Sequence, residues 1–147
     1  MKKLLGIDIG GTKCAVILGN YGSEATGDVT IIDRVAFPTE VDKGLEHTLG
    51  RMIESIDAIL KANNWKAKEL YGIGISCGGP LDSKRGVIMS PPNLIGWDDV
   101  HIVEMLENRY GIKTKLQNDA NACALAEWKF GAGRGYRNMV FLTFGTG

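Results

Sequence analysis

The chain has 147 residues, and its 17 lysines plus arginines balance 17 aspartates plus glutamates, for a formal net charge of zero. That balance leaves no basic footprint for nucleic acid, no apolar run is long enough to span a bilayer, and the length suffices for one domain with a real core. Three cysteines, Cys14, Cys77 and Cys123, are odd in number and far apart, which argues against a disulfide framework and for reduced thiols in a cytoplasmic protein. Residues 1–5 place two lysines before apolar residues, as a signal peptide does, but Asp8 and Gly10-Gly11 interrupt that run too early. No Cys/His cluster has zinc spacing, and His47 and His101 read as isolated, solvated helix residues.

Residues 4–9 read as an apolar strand with Asp8 inside it, running into the turn Gly10-Gly11-Thr12-Lys13. Glycines let a backbone bend sharply and approach a ligand closely, and consecutive N–H groups in such a turn make an anion site. Thr12 adds a hydroxyl, Lys13 a positive charge, and Asp8 a carboxylate able to hold Mg²⁺ directly or through water. The implied ligand is a nucleotide polyphosphate with its metal. The spacing fits neither the Walker A loop nor the dinucleotide fingerprint, and taken alone the stretch is equally a plain tight turn.

Residues 14–19 read as a second strand and residues 29–37 as a third, ending at Pro38, so the first three strands form an antiparallel meander. Thr39 with Asp42 resembles a capping box opening a helix, along which Leu45, Leu49, Met52, Ile53, Ile56, Ile59 and Leu60 recur at helical spacing until Asn63-Asn64. Residues 70–76 form a strand parallel to the first, reached through that crossover helix, and run into a second glycine turn, Cys77-Gly78-Gly79-Pro80. A small strand at residues 86–89 and a proline-stiffened loop from Ser90 to Trp97 follow. Asp98 or Asp99 then caps a helix with Ile102, Val103, Met105, Leu106 and Tyr110, ended by Gly111. Residues 113–117 are a strand closed by Asn118-Asp119-Ala120-Asn121, which opens a helix to about Phe130, alanine-rich and so able to lie close against a sheet. Residues 139–144 read as a last apolar strand entering Gly145-Thr146-Gly147, a repeat of the opening theme that suggests a duplicated architecture. On that reading the chain is the N-terminal part of a longer protein and inactive alone.

These residues together resemble the ROK family of sugar kinases and repressors, within the actin/hexokinase/Hsp70-like ATPase superfamily. The resemblance rests on Asp8-Ile9-Gly10-Gly11-Thr12-Lys13, residues 72–80, residues 92–97, Asn118-Asp119-Ala120-Asn121 with Glu127, and Gly145-Thr146-Gly147. Residues 124–131 look close to the N-acetylmannosamine kinase branch, beside the ROK glucokinases. The resemblance implies an α/β fold, an actin-like (ribonuclease H-like) ATPase domain with a mixed central sheet, later strands parallel and helices flanking. It divides the chain into an N-terminal domain over residues 1–137 and the first strand and phosphate loop of a second domain over residues 138–147. Many members have Pro-Gly-Pro where this chain has Cys77-Gly78-Gly79-Pro80, and the family's zinc motif is not within this chain.

The implied reaction is ATP-dependent phosphorylation of a hexose or N-acylhexosamine hydroxyl. Asp119 matches the family's catalytic aspartate and would take the hydroxyl proton; read from the residues alone it is equally an N-cap. Asn118 offers donors and an acceptor for sugar hydroxyls, Gly79 its backbone, and Asn93 an amide, unless Asn93 is an ordinary turn residue. Asp8, Gly10, Gly11, Thr12 and Lys13 would form one phosphate clamp around ATP and Mg²⁺, with Gly145, Thr146 and Gly147 facing it. Asn121 reads as structural, Glu127 as a salt-bridge residue or a direct participant, and Trp97 as a loop anchor or a sugar-stacking ring. The implied partners are a small sugar and ATP, without nucleic acid or membrane, in a full-length homo-oligomer. The alternative is a sugar-binding sensor or regulator without turnover; a chaperone or filament ATPase leaves Asn93 and Asn118-Asp119 unexplained.

Overall fold

The computed structural model describes residues 1–22 and 27–144. The elements in chain order are β1 (Lys2–Ile9), β2 (Lys13–Tyr21), β3 (Val29–Pro38), α1 (Leu45–Ala62), β4 (Leu70–Cys77), β5 (Leu81–Asp82), β6 (Val87–Ile88), α2 (Ile102–Tyr110), β7 (Thr114–Asn118) and α3 (Asp119–Phe130). One mixed sheet runs in the order β3-β2-β1-β4-β7. Its β1/β2 and β2/β3 pairs are antiparallel, and its β1/β4 and β4/β7 pairs are parallel. β5 and β6 make a separate small hairpin. This is the expected α/β arrangement of a meander followed by parallel strands.

Side chains alternate across the sheet. On one face Leu5, Ile7 and Ile9 of β1, Val16 and Leu18 of β2, Ile73 and Ile75 of β4 and Leu116 of β7 are buried in one core with Met52, Ile56 and Ile59 of α1 and Ile102 and Leu106 of α2. Each such side chain, fully buried, contributes about 1.5–3 kcal/mol. Leu4, Gly6, Ile17 and Gly74 line an open groove of about 880 Å³ with Ala126 and Phe130 of α3. α3 itself buries no side chain. The small residues expected to let it lie close against the sheet therefore do not seat it, because alanines offer little apolar area to remove from water.

The start of α1 departs from expectation. Residues 41–43 form a 3₁₀ turn, and the helix begins only after Gly44, whose φ of 89° suits glycine. Thr39 caps nothing; it is fully buried and bonded to the first glycine turn. Glu40 takes a left-handed φ of 51°. Its carboxylate accepts from Lys43 Nζ at 2.7 Å and Arg51 Nη1 at 3.0 Å, and lies 2.8 Å from His47 Nε2. His47 is thus tied to a carboxylate rather than merely solvated.

The hydrogen bond from Lys43, then that from His47, pulls the Glu40 carboxyl from its ordinary 4.5 down to about 2. A lowered folded-state pKa stabilises above the unfolded value and is lost as pH falls toward the folded one. Glu40→Gln is therefore expected to destabilise the chain at neutral pH. The gap from the parent should narrow below about pH 4.5 in urea titrations run at a series of pH values.

α2 is capped by His101 without a side-chain bond, not by Asp98 or Asp99. Asp98 instead accepts from the Ser90 hydroxyl, closing the loop between them. The expected C-terminal stop at Gly111 is present, with φ 67° and its N–H donating to Glu107 O at 2.8 Å. Residues 139–144 form no strand. An apolar run becomes a strand only against a neighbouring edge, and no described edge pairs with this one.

Candidate functional site

Parallel strands β1, β4 and β7 end level. Asp8, Ser76 and Gln117 share one register row, and Ile9, Cys77 and Asn118 the next. Beyond that row each strand turns: β1 into Gly10-Gly11, β4 into Gly78-Gly79, β7 into α3. Open α/β sheets bind ligands at the carboxyl ends of their strands, and the sequence's candidate residues gather at this edge.

The first turn is closed by Gly10 N–H donating to Lys13 O at 3.1 Å. A methyl group at Gly11 would lie 2.7 Å from Asn93 O and 2.8 Å from Asn93 Cβ. The loop carrying Asn93 therefore rests on the glycine turn. Pro91, Leu94 and Trp97 fix that loop by burial, with Leu94 N–H donating to Pro91 O and Trp97 N–H to Leu94 O. Trp97 is 1% exposed. It is the loop's anchor, and no face is left for stacking on a sugar.

On the other side, Asn118 is the N-cap of α3. Its Oδ1 accepts from Ala120 N–H at 3.0 Å and Asn121 N–H at 3.4 Å. A methyl group at Gly79 would meet Asn118 Nδ2 at 3.3 Å, so the second glycine turn and this amide are neighbours. Asp119 stands at the first helical position. Its Oδ1 accepts from Ala120 N–H at 2.8 Å, and its Oδ2 lies 4.0 Å from where a Gly78 methyl would sit. The cap of α3 is Asn118, so the competing reading of Asp119 as a bare N-cap does not describe this helix. Gln117 Oε1 accepts from Asn118 N–H at 2.8 Å and from Asn121 Nδ2 at 3.4 Å, which gives Asn121 the structural place expected of it.

Asp8 is exposed beside the first turn, and its Oδ1 accepts from the Ser76 hydroxyl at 3.1 Å. One exposed hard carboxylate beside a glycine turn fits Mg²⁺, which takes one or two protein carboxylates and fills its shell with water and phosphate oxygens. No group of three His, Cys, Asp or Glu side chains suited to a metal occurs among the described residues. Gly145, Thr146 and Gly147 lie outside the described residues.

Two buried thiols sit beneath the site. Burial, then the charge of Asp119, pushes Cys77 up to about 12, with Cys14 and Asp8 adding to the rise. Burial likewise raises Cys14, opposed by its hydrogen bond with Thr39. Both are thus neutral thiols, while Cys123 is exposed. Iodoacetamide at neutral pH is expected to alkylate Cys123 in the folded chain and to reach Cys14 and Cys77 only on unfolding; peptide mapping of the modified thiols checks this.

Sequence reasoning missed Ser76 and Thr39, which touch Asp8 and Gly10. Their contacts span 68 and 29 residues, and nothing local announces them. Glu127 makes no salt bridge among the described residues; its Oε2 accepts from Ala132 N–H at 3.0 Å and so closes the turn after α3. No helix among the described residues is long and apolar enough to cross a membrane.

The chain is 37% identical over 145 residues to the glucokinase of Thermotoga maritima, covering 99% of this chain and 42% of that protein. It is 27% identical over 144 residues to the xylose repressor of Caldicellulosiruptor bescii, covering 98% and 34%. Among solved structures, the ROK family glucokinase from Streptomyces griseus in complex with glucose and AMPPNP superposes with a TM-score of 0.72 at 28% identity, covering 90% of this chain and 38% of that one. The chain thus spans about a third to two-fifths of the length of these curated relatives. The profile of the ROK family matches residues 4–147, nearly the whole sequence, and the chain belongs to that family.

Proposed function

We propose that the full-length protein transfers the γ-phosphoryl group of ATP to a hydroxyl of a hexose or N-acylhexosamine. The observation that carries this reading is convergence. Gly11, Asn93, Gly79 and Asn118-Asp119, far apart in sequence, meet at the carboxyl ends of β1, β4 and β7. The names of the relatives support it, since a glucokinase and a kinase holding glucose with AMPPNP share this stretch.

In this reading Asn118 Nδ2, Asn93 and the Gly79 backbone hold the sugar, and Asp119 Oδ2 faces the reacting hydroxyl. The hydroxyl oxygen forms a bond to the γ-phosphorus as the bond to the ADP oxygen breaks, and its proton passes to Asp119. The transition state is loose, so positioning and charge stabilisation dominate. The N–H groups of the first turn, the Thr12 hydroxyl and Lys13 meet the phosphate charge, with Asp8 at the metal's place. Asp8 would hold Mg²⁺ directly or through water, and the ion would supply positive charge against that of the phosphates. Gly145, Thr146 and Gly147 would face this clamp from a second domain, which residues 138–147 would begin. The remaining expectations, a cytoplasmic homo-oligomer without nucleic-acid or membrane partners, belong to the same reading.

The match to a xylose repressor supports a second reading, a sugar sensor without turnover. ADP release by the full-length protein with ATP and Mg²⁺, across a panel of hexoses and N-acylhexosamines, separates the two. Turnover with at least one sugar is expected. Saturable sugar binding with no ADP release from any of them would favour the sensor.

A further inference from the structure

We infer that Thr39 is a positioning residue for the nucleotide turn, locking the Gly10–Gly11 peptide so that the Gly11 N–H faces the ligand side. The inference rests on the phosphate-clamp reading of that turn. Thr39 is 0% exposed. Its hydroxyl donates to Gly10 O at 2.6 Å, and its N–H donates to Thr12 O at 2.9 Å. Two carbonyls of the turn are therefore held from the inner side by one residue. A trans peptide points its C=O and N–H in opposite directions. With Gly10 O drawn onto Thr39, Gly11 N–H points away from it, and that N–H has no partner among the described residues. A Gly-Gly peptide has the least intrinsic resistance to flipping, because neither flanking residue has a Cβ to restrict it.

Thr39 is itself fixed. The Thr48 hydroxyl of α1, also buried, donates to Thr39 O at 2.9 Å. Cys14 Sγ lies 3.4 Å from Thr39 Oγ1. The single Thr39 hydroxyl proton is committed to Gly10, so the neutral Cys14 thiol is the donor. The chain of bonds runs from thiol to hydroxyl to carbonyl and ends at the turn. Glu40, the residue after Thr39, is itself pinned by Lys43, His47 and Arg51. This strap consumes the threonine that local sequence offers to α1 as a cap.

The test compares Thr39→Val, which keeps the shape and loses the hydroxyl, with Thr39→Ser, which keeps the hydroxyl, in the full-length protein. Should the valine variant fail to fold, Thr39→Ala serves in its place. Loss of an amide-to-phosphate hydrogen bond is expected to raise the KM for ATP about tenfold to a hundredfold. The KM for sugar should stay within about twofold, and serine should restore the ATP value. Equal rises in both KM values, no rise in either, or a serine variant that behaves like valine would overturn the inference. Amide exchange judges the strap without any ligand. The Gly10 and Thr39 amides should exchange faster in Thr39→Val, and unchanged protection would overturn the strap even if the protein proved not to be a kinase. Absence of ATP binding by the parent protein would instead overturn the clamp reading.

Discussion

Asp119→Asn in the full-length protein is expected to lower kcat by about 10²–10⁴-fold, the usual worth of a positioned general base. That is roughly 3–5 kcal/mol of barrier. Asparagine keeps the size of the side chain and can still accept from Ala120 N–H, the 2.8 Å bond that orients Asp119. It cannot take a proton from a hydroxyl. Sugar affinity should change by no more than the roughly 1 kcal/mol of one altered hydrogen bond, about fivefold. Steady-state kinetics paired with sugar titration calorimetry separate the two effects. Collapse of both together would mean that Asp119 shapes the pocket and does no chemistry. Full turnover would remove it from the proton path.

Gly11→Ala is expected to harm both substrates at once. The added methyl would sit 2.7 Å from Asn93 O and 2.8 Å from Asn93 Cβ, which no real contact tolerates. Neither partner is the flexible end of a side chain, so the first glycine turn or the Asn93 loop must move. Overpacking of this kind costs about 1–3 kcal/mol in stability. A displacement near 1 Å in a positioned site costs about 10²-fold in rate. We expect kcat/KM to fall about 10²-fold with either substrate varied. Gly50→Ala is the control, because it lies exposed in α1 with nothing within 4 Å of the added carbon. It should leave kinetics alone and stabilise by about 1 kcal/mol through helix propensity. A Gly11→Ala variant that impaired only ATP use would show that the Asn93 loop is not coupled to the turn.

Much of the fold was legible because its signals are periodic. Alternation in β1 and β4 and the helical spacing of Leu49, Met52, Ile56 and Ile59 in α1 encode burial directly, and the core follows them. The candidate site was legible as a gathering of residues where glycines and an Asn-Asp pair sit at strand ends, since the parallel register brings those ends level. What local reading misplaced were residues with two possible hydrogen-bonding careers. Thr39 with Asp42 has the form of a capping box, yet its hydroxyl goes to Gly10, and α1 starts after Gly44. Asp98 looks like a cap for α2 and closes a loop with Ser90 instead. Glu127 looks like an ion-pair residue and accepts from Ala132 N–H. In each case a tertiary or loop partner outcompeted the local one, and a pattern of neighbours cannot reveal that. The exposed α3 and the unpaired residues 139–144 are the same lesson for apolar surface: hydrophobicity marks what wants a partner, and not whether one is present.

The most direct measurement of the central claim follows the γ-phosphate itself. ATP labelled at the γ-phosphate is incubated with the full-length protein, Mg²⁺ and the sugar that gives turnover, and the products are separated. The proposed chemistry predicts label in a sugar phosphate ester, dependent on that sugar and nearly absent in Asp119→Asn. Label found only in inorganic phosphate, or retained in ATP while sugar is bound, would contradict it.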